Sequence, residues 1–128
     1  MAYIVWKDSF NIGVKEMDDQ HMLFAGYINE LYEAIQLGKT EDVVAPMLDK
    51  LTAYSKTHFA AEEKMLKYNN YPMLETQIKQ HAYFVLELIS LKSSYQNKTQ
   101  TAQNMLLFVK DWLLHHITTE DLKYAELV

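Results

Sequence analysis

The chain has 128 residues, a net charge of −5 and no cysteine, with 49% hydrophobic and 12% aromatic residues. That length suits one domain over residues 1–128, with a core that buries roughly two-thirds of the unfolded surface. The acidic balance excludes nucleic acid as a partner, and the lack of cysteine excludes disulfides, thiolate metal sites, iron–sulfur clusters and thiol catalysis.

Residues Met1 to Phe10 place Lys7 and Asp8 among apolar neighbours, so no signal peptide is read there. No apolar run approaches a membrane span. The expectation is a cytoplasmic monomer without membrane insertion.

Residues 1–17 read as an irregular arm carrying Trp6, Phe10 and Gly13. Asp18 is the expected N-cap of a first helix running to Leu37, with Gly38 at its C′ position. Thr40-Glu41-Asp42 marks the next start, or Pro46 does, because proline lacks the N–H that a helix interior needs. This second helix runs to about Lys67, and Asn69-Asn70 is a turn signal. Pro72 is placed at N1 of a third helix ending near Tyr95, and Asn97-Lys98-Thr99 makes the following break. A fourth helix spans about Gln100 to Ile117, before a short helical tail from Thr118 to Val128. Four such helices with short connections predict an all-α, up-down-up-down antiparallel four-helix bundle.

The helices carry inward stripes in three- and four-residue steps. Leu48, Leu51, Tyr54, Ser55, His58, Glu62 and Met65 share one face of the second helix. Leu74, Gln77, Ile78, His81, Phe84, Val85 and Leu88 share one face of the third; Met105, Val109, Trp112, Leu113 and His116 share one of the fourth. Polar residues interrupt each stripe, and that is the informative anomaly.

Four of the five histidines fall on these stripes, one per helix: His21, His58, His81 and His116. His58 and Glu62 stand four residues apart, so they project from one face about 6 Å apart along the axis. Asp121 lies five residues after His116, off-face on an ideal helix, so a break or bulge at Ile117-Thr118-Thr119 is needed to bring it round. In an antiparallel bundle His21 approaches His58, and His81 approaches His116. A lone histidine on an apolar stripe is more often a hydrogen-bonded core residue than a ligand, and His-x-x-x-Glu alone matches a surface ion pair. The combined set is different, because burying these charges unpaired costs several kcal/mol each. Metal cations remove that cost. Imidazole with carboxylate and no thiolate favours iron, manganese or zinc, and carboxylates able to bridge favour two metals.

Asp19-Gln20-His21, His58-Phe59-Ala60-Ala61-Glu62-Glu63, His81, and Trp112-Leu113-Leu114-His115-His116-Ile117 with Asp121 and Tyr124 resemble the hemerythrin signature. The resemblance runs from Trp6 to Tyr124. It implies a non-haem centre of two iron ions with an oxo or hydroxo bridge. One iron is held by His21 and His58, the other by three histidines of which His81 and His116 have counterparts, and Glu62 and Asp121 bridge them. It also implies reversible dioxygen binding at the two-histidine iron, in a pocket walled by Phe24, Phe59, Trp112, Leu113 and Ile117. The bare residue reading of that wall is ordinary core packing, and both readings hold together.

One departure stands out: the family's third-helix motif is His-x-x-x-His, and here its first member is Gln77. Its amide either ligates iron through its carbonyl oxygen, holds a water that does, or leaves that iron under-coordinated. His115, offset about 100° from His116, reads as a rim or surface residue. The leading expectation is an oxygen carrier, storage or delivery protein that hands dioxygen to an oxygen-consuming enzyme. The alternatives are a di-iron enzyme acting on peroxide or nitric oxide, an oxygen or iron sensor module, and a helical interaction module with a degraded or zinc-filled site.

Overall fold

The computed structural model describes residues 3–39, 41–94 and 99–128. Its elements are a 3-10 turn at Asp8–Phe10, then α1 (Lys15–Gln36), α2 (Glu41–Tyr68), α3 (Leu74–Ser94) and α4 (Thr99–His116). A π-helical turn, Ile117–Asp121, and a short α5, Leu122–Tyr124, complete the chain. Each long helix packs on its sequence neighbour, and α1 also packs on α4, closing the expected four-helix bundle. No described helix is long and apolar enough to cross a membrane.

The stripes face inward as their spacing requires. Leu48, Leu51, Ser55, His58 and Glu62 on α2, Phe84 and Leu88 on α3, and Met105, Val109 and Leu113 on α4 are all buried. Phe24, Ile28 and Leu31 from α1 fill the space between them.

The helix ends differ from expectation in ways that chemistry explains. Asp18 is not an N-cap: α1 begins at Lys15, with Val14 at the cap position and no side-chain cap. Asp18 instead turns back from inside the first turn and accepts from the N–H of Ile12 (2.8 Å) and Gly13 (3.1 Å), tying down the arm. Gly13 permits that reversal with φ of 90°. The arm is held further along by Asn29, which accepts from Ile4 N and donates to Ile4 O.

Gly38 occupies C′ with φ of 71°; Gly38 N donates to Ile35 O and Lys39 N to Ala34 O, the paired bonds of a Schellman ending. Asn70, φ 55°, ends α2 in the same way, with Asn70 N on Lys67 O and Tyr71 N on Leu66 O. Of the two starts read for α2, the acidic one holds and Pro46 lies inside the helix. Pro46 is on the exposed side, where water can serve the carbonyl that loses its donor. Pro72 is not at N1 either: it sits in a turn closed by Leu74 N on Tyr71 O, and α3 starts after it. Of the break read at Asn97-Lys98-Thr99, the first two residues lie outside the described ones and Thr99 already belongs to α4.

Candidate metal centre

His21, His58, Glu62, Gln77, His81, His116 and Asp121 are brought together between the four helices, each 3% exposed or less. Helical phase supplies most of this, since His58 and Glu62, and likewise Gln77 and His81, are one turn apart on one face. The exception is Asp121. An α-helix continued past His116 would aim it elsewhere, and the π-helical turn at Ile117–Asp121 carries its carboxylate back to the centre.

The histidines are paired. The rings of His21 and His58 stand 4.8 Å apart, and those of His81 and His116 stand 5.1 Å apart. Glu62 reaches both pairs. Its Oε1 lies 2.9 Å from His81 Nε2, while its Oε2 lies 3.7 Å from His21 Nε2 and 3.9 Å from His58 Nε2. Asp121 divides in the same way, with Oδ1 3.2 Å from His116 Nε2 and Oδ2 3.3 Å from His21 Nε2. Two groups therefore have ligand atoms within 4.8 Å of one another, His21–His58–Glu62 and Glu62–His81–His116, and Glu62 belongs to both.

An outer set of acceptors turns three imidazoles inward. Gln20 Oε1 stands 2.6 Å from His58 Nδ1, Glu63 Oε2 stands 2.8 Å from His81 Nδ1, and Gln80 Oε1 stands 2.7 Å from His116 Nδ1. Each acceptor sits next to an inward residue of its own helix and serves the histidine of the following helix. An acceptor at Nδ1 fixes the proton there and leaves Nε2 as the free lone pair. Sequence reasoning assigned these three no role. Their signal is their position, immediately beside His21, Glu62 and His81, about 100° off the inward face and towards the neighbouring helix. His21 has no such partner at Nδ1 among the described residues.

The arrangement is electrostatically incomplete without a cation. His81 Nε2 and His116 Nε2 face each other at 3.3 Å, although each Nδ1 is already committed to an acceptor. Among the described residues, five buried polar atoms make no well-aligned hydrogen bond, charge contacts aside: both ring nitrogens of His21, Glu62 Oε1, Gln77 Oε1 and Asp121 Oδ2. Leaving such groups dry costs about 1–3 kcal/mol each.

Protons partly fill the gap. Burial alone would push His21 down, but the Asp121 and Glu62 carboxylates outweigh it and raise the imidazole to about 9. His81 is raised in the same balance, burial opposing and Glu62 prevailing. His58, where burial dominates, falls to about 4 and stays neutral. Burial would raise Glu62, but its contacts with His21 and His81 hold it well below the usual carboxylate range. Imidazole nitrogens and bridging-capable carboxylate oxygens, converging and unsatisfied, fit a pair of divalent first-row metals.

Aromatic rings enclose the centre. Phe59 stacks on His81 at 4.1 Å, Trp112 stacks on His116 at 4.5 Å, and Phe24 meets His58 edge-on at 6.0 Å. Leu113 and Ile117 are buried beside them. His115 is exposed, facing a groove between α3 and α4 with Tyr83 and Leu107. Tyr124 reaches the centre from α5, its hydroxyl on Glu62 Oε2.

Comparisons with known proteins bear on the family and the fold. Residues 12–128 match the family model described as the hemerythrin HHE cation binding domain. The chain is 29% identical over 128 residues to a bacteriohemerythrin of Pseudomonas aeruginosa, covering 100% of this chain and 83% of that protein. It is 29% identical over 127 residues to the bacteriohemerythrin of Clostridium acetobutylicum, covering 95% and 98%. With the myohemerythrin of Riftia pachyptila it shares 30% over 120 residues, covering 94% and 89%. Among solved structures, a hemerythrin point mutant superposes with a TM-score of 0.86 at 26% identity, covering 99% of this chain and 98% of that one.

Proposed function

Because the chain belongs to the hemerythrin family, we propose that it binds dioxygen reversibly at a non-haem di-iron centre, as a carrier, storage or delivery protein and not as an enzyme. In this reading His21 and His58 would hold one iron and His81 and His116 the other, with Glu62 and Asp121 serving both. The observation that carries it is the sharing of Glu62 between two separate groups of ligand atoms. A mononuclear site has no use for a carboxylate that offers one oxygen to each of two histidine pairs.

When bound, the ferrous pair supplies the electrons that hold dioxygen reversibly. The chain's own part is positioning and exclusion. Gln20, Glu63 and Gln80 keep each Nε2 lone pair aimed inward. Tyr124 orients Glu62. The apolar wall of Phe24, Phe59, Leu113 and Ile117, with Trp112 across His116, keeps water and its protons away, which favours release of the gas unchanged. The partner is dioxygen, passed on to an oxygen-consuming enzyme, and the protein acts as a cytoplasmic monomer.

The test is spectroscopic. Anaerobically reduced, iron-loaded protein is expected to gain a visible absorption band on exposure to oxygen and to lose it under argon. Repeated cycling should leave the band intact. Consumption of oxygen without recovery of the reduced spectrum would favour the di-iron oxidase or peroxidase instead.

A further inference from the structure

Resting on the metal-centre reading above, we propose that Gln77 is an oxygen-donor metal ligand, its carbonyl Oε1 taking a coordination position beside His81 and His116 while its Nε2 fixes Asp121. Gln77 is 1% exposed, and its Nε2 donates to Asp121 Oδ1 at 3.0 Å. An ionised carboxylate only accepts, so the NH2 end of the amide must face Asp121 and Oε1 must face the other way. Oε1 is buried there without a hydrogen-bond donor. Among the described residues, the other four buried atoms in that condition all belong to His21, Glu62 and Asp121, residues of the centre itself.

A glutamine serving only as a tether for Asp121 would leave its carbonyl dry, at about 1–3 kcal/mol. A cation at the centre gives that oxygen its partner. The i,i+4 spacing of Gln77 and His81 puts both donors on one face of α3, so they can share one metal. The two ends of the amide then act together, because the bond to Asp121 stops the side chain rotating and presets Oε1. The consequence is a change of donor type. This metal position has two imidazoles and otherwise oxygen donors, a harder set than one with a third imidazole, which shifts preference towards manganese and away from cobalt and zinc.

The test is an anaerobic titration of metal-free protein with cobalt(II), following stoichiometry and the visible d–d spectrum. The wild type should take two equivalents tightly. Gln77→Met, of similar volume but without the oxygen, should keep one tight equivalent and bind the second about 10–100-fold more weakly. Gln77→Glu, which keeps an oxygen donor, should retain two with an altered spectrum. Gln77→His should retain two and lose relative preference for manganese(II) in competition. A Gln77→Met protein with native circular dichroism that binds two equivalents at wild-type affinity overturns the role of Gln77 and leaves the centre standing. A wild type that takes up no cobalt overturns the centre, and this inference with it. If Gln77→Met does not fold, Gln77→Glu decides, because a spectrum identical to wild type would place position 77 off the metal.

Discussion

The hydroxyl of Tyr124 donates to Glu62 Oε2 at 2.6 Å, and both side chains are fully buried. Burial pushes the phenol far above its ordinary range, and the neighbouring Glu62 and Asp121 charges push it the same way, so Tyr124 stays a donor. It joins the last turn of the chain to the carboxylate shared by both histidine pairs. Its removal leaves one Glu62 oxygen without a donor. Tyr124→Phe is expected to lower stability by about 1.5–3 kcal/mol, as for a hydrogen bond to a charged group, and to weaken metal binding roughly tenfold. Urea unfolding of the metal-free protein and a zinc competition titration measure the two effects. Unchanged metal affinity would show that Glu62 needs no help from Tyr124.

His115 and His116 are adjacent but point about 100° apart around α4, one exposed and the other 3% exposed with Trp112 stacked on its ring. His116→Ala is expected to remove the second metal equivalent and the oxygen-dependent spectrum. His115→Ala should leave both within about a factor of two, since substitutions of surface residues rarely exceed about 0.5 kcal/mol. Equal losses from the two variants would show that the phase of α4 has been misassigned.

The metal-free protein should lose stability on both sides of neutrality. His21 is raised to about 9, so its contribution is complete below the unfolded value of about 6.5 and vanishes as pH climbs through 9. His81 is raised as well, by Glu62 against burial, and its contribution is lost in the same direction. His58 is depressed to about 4, so its contribution is present above about 6.5 and fades as pH falls towards 4. Melting temperature should therefore peak near pH 6–7 and drop by a few degrees by pH 9. Metal replaces the proton on His21, so zinc-loaded protein should lack the alkaline decline, and loading at pH 7.5 should release protons. A flat melting profile from pH 6.5 to 9 would contradict the charge balance described for His21.

How much of this was legible in the sequence depends on the range of the interaction. His58 and Glu62 were readable together because both lie on one helix and helical phase alone aims them. Asp121 was readable only as a demand, since its spacing from His116 required a break, and the π-helical turn at Ile117–Asp121 meets it. Gln20, Glu63 and Gln80 were legible in position, beside inward residues, but not in role, because each serves a histidine on the next helix, 18 to 38 residues away. Their role depends on how the helices are rotated against one another, which no single-helix period encodes. Asp18 shows the opposite failure. A residue type that suits an N-cap was assigned to one, whereas the unsatisfied N–H groups of Ile12 and Gly13 in the arm claimed its carboxylate.

The most direct measurement of the central claim is the stoichiometry of iron and dioxygen in one sample. Iron-reconstituted protein, reduced and equilibrated with oxygen, is analysed for iron by mass spectrometry and for gas taken up and released under vacuum. Two ligand groups sharing Glu62 predict about two irons per chain and one dioxygen per pair, recovered as dioxygen on evacuation. One iron per chain or none, or oxygen that is consumed and not returned, would contradict the account.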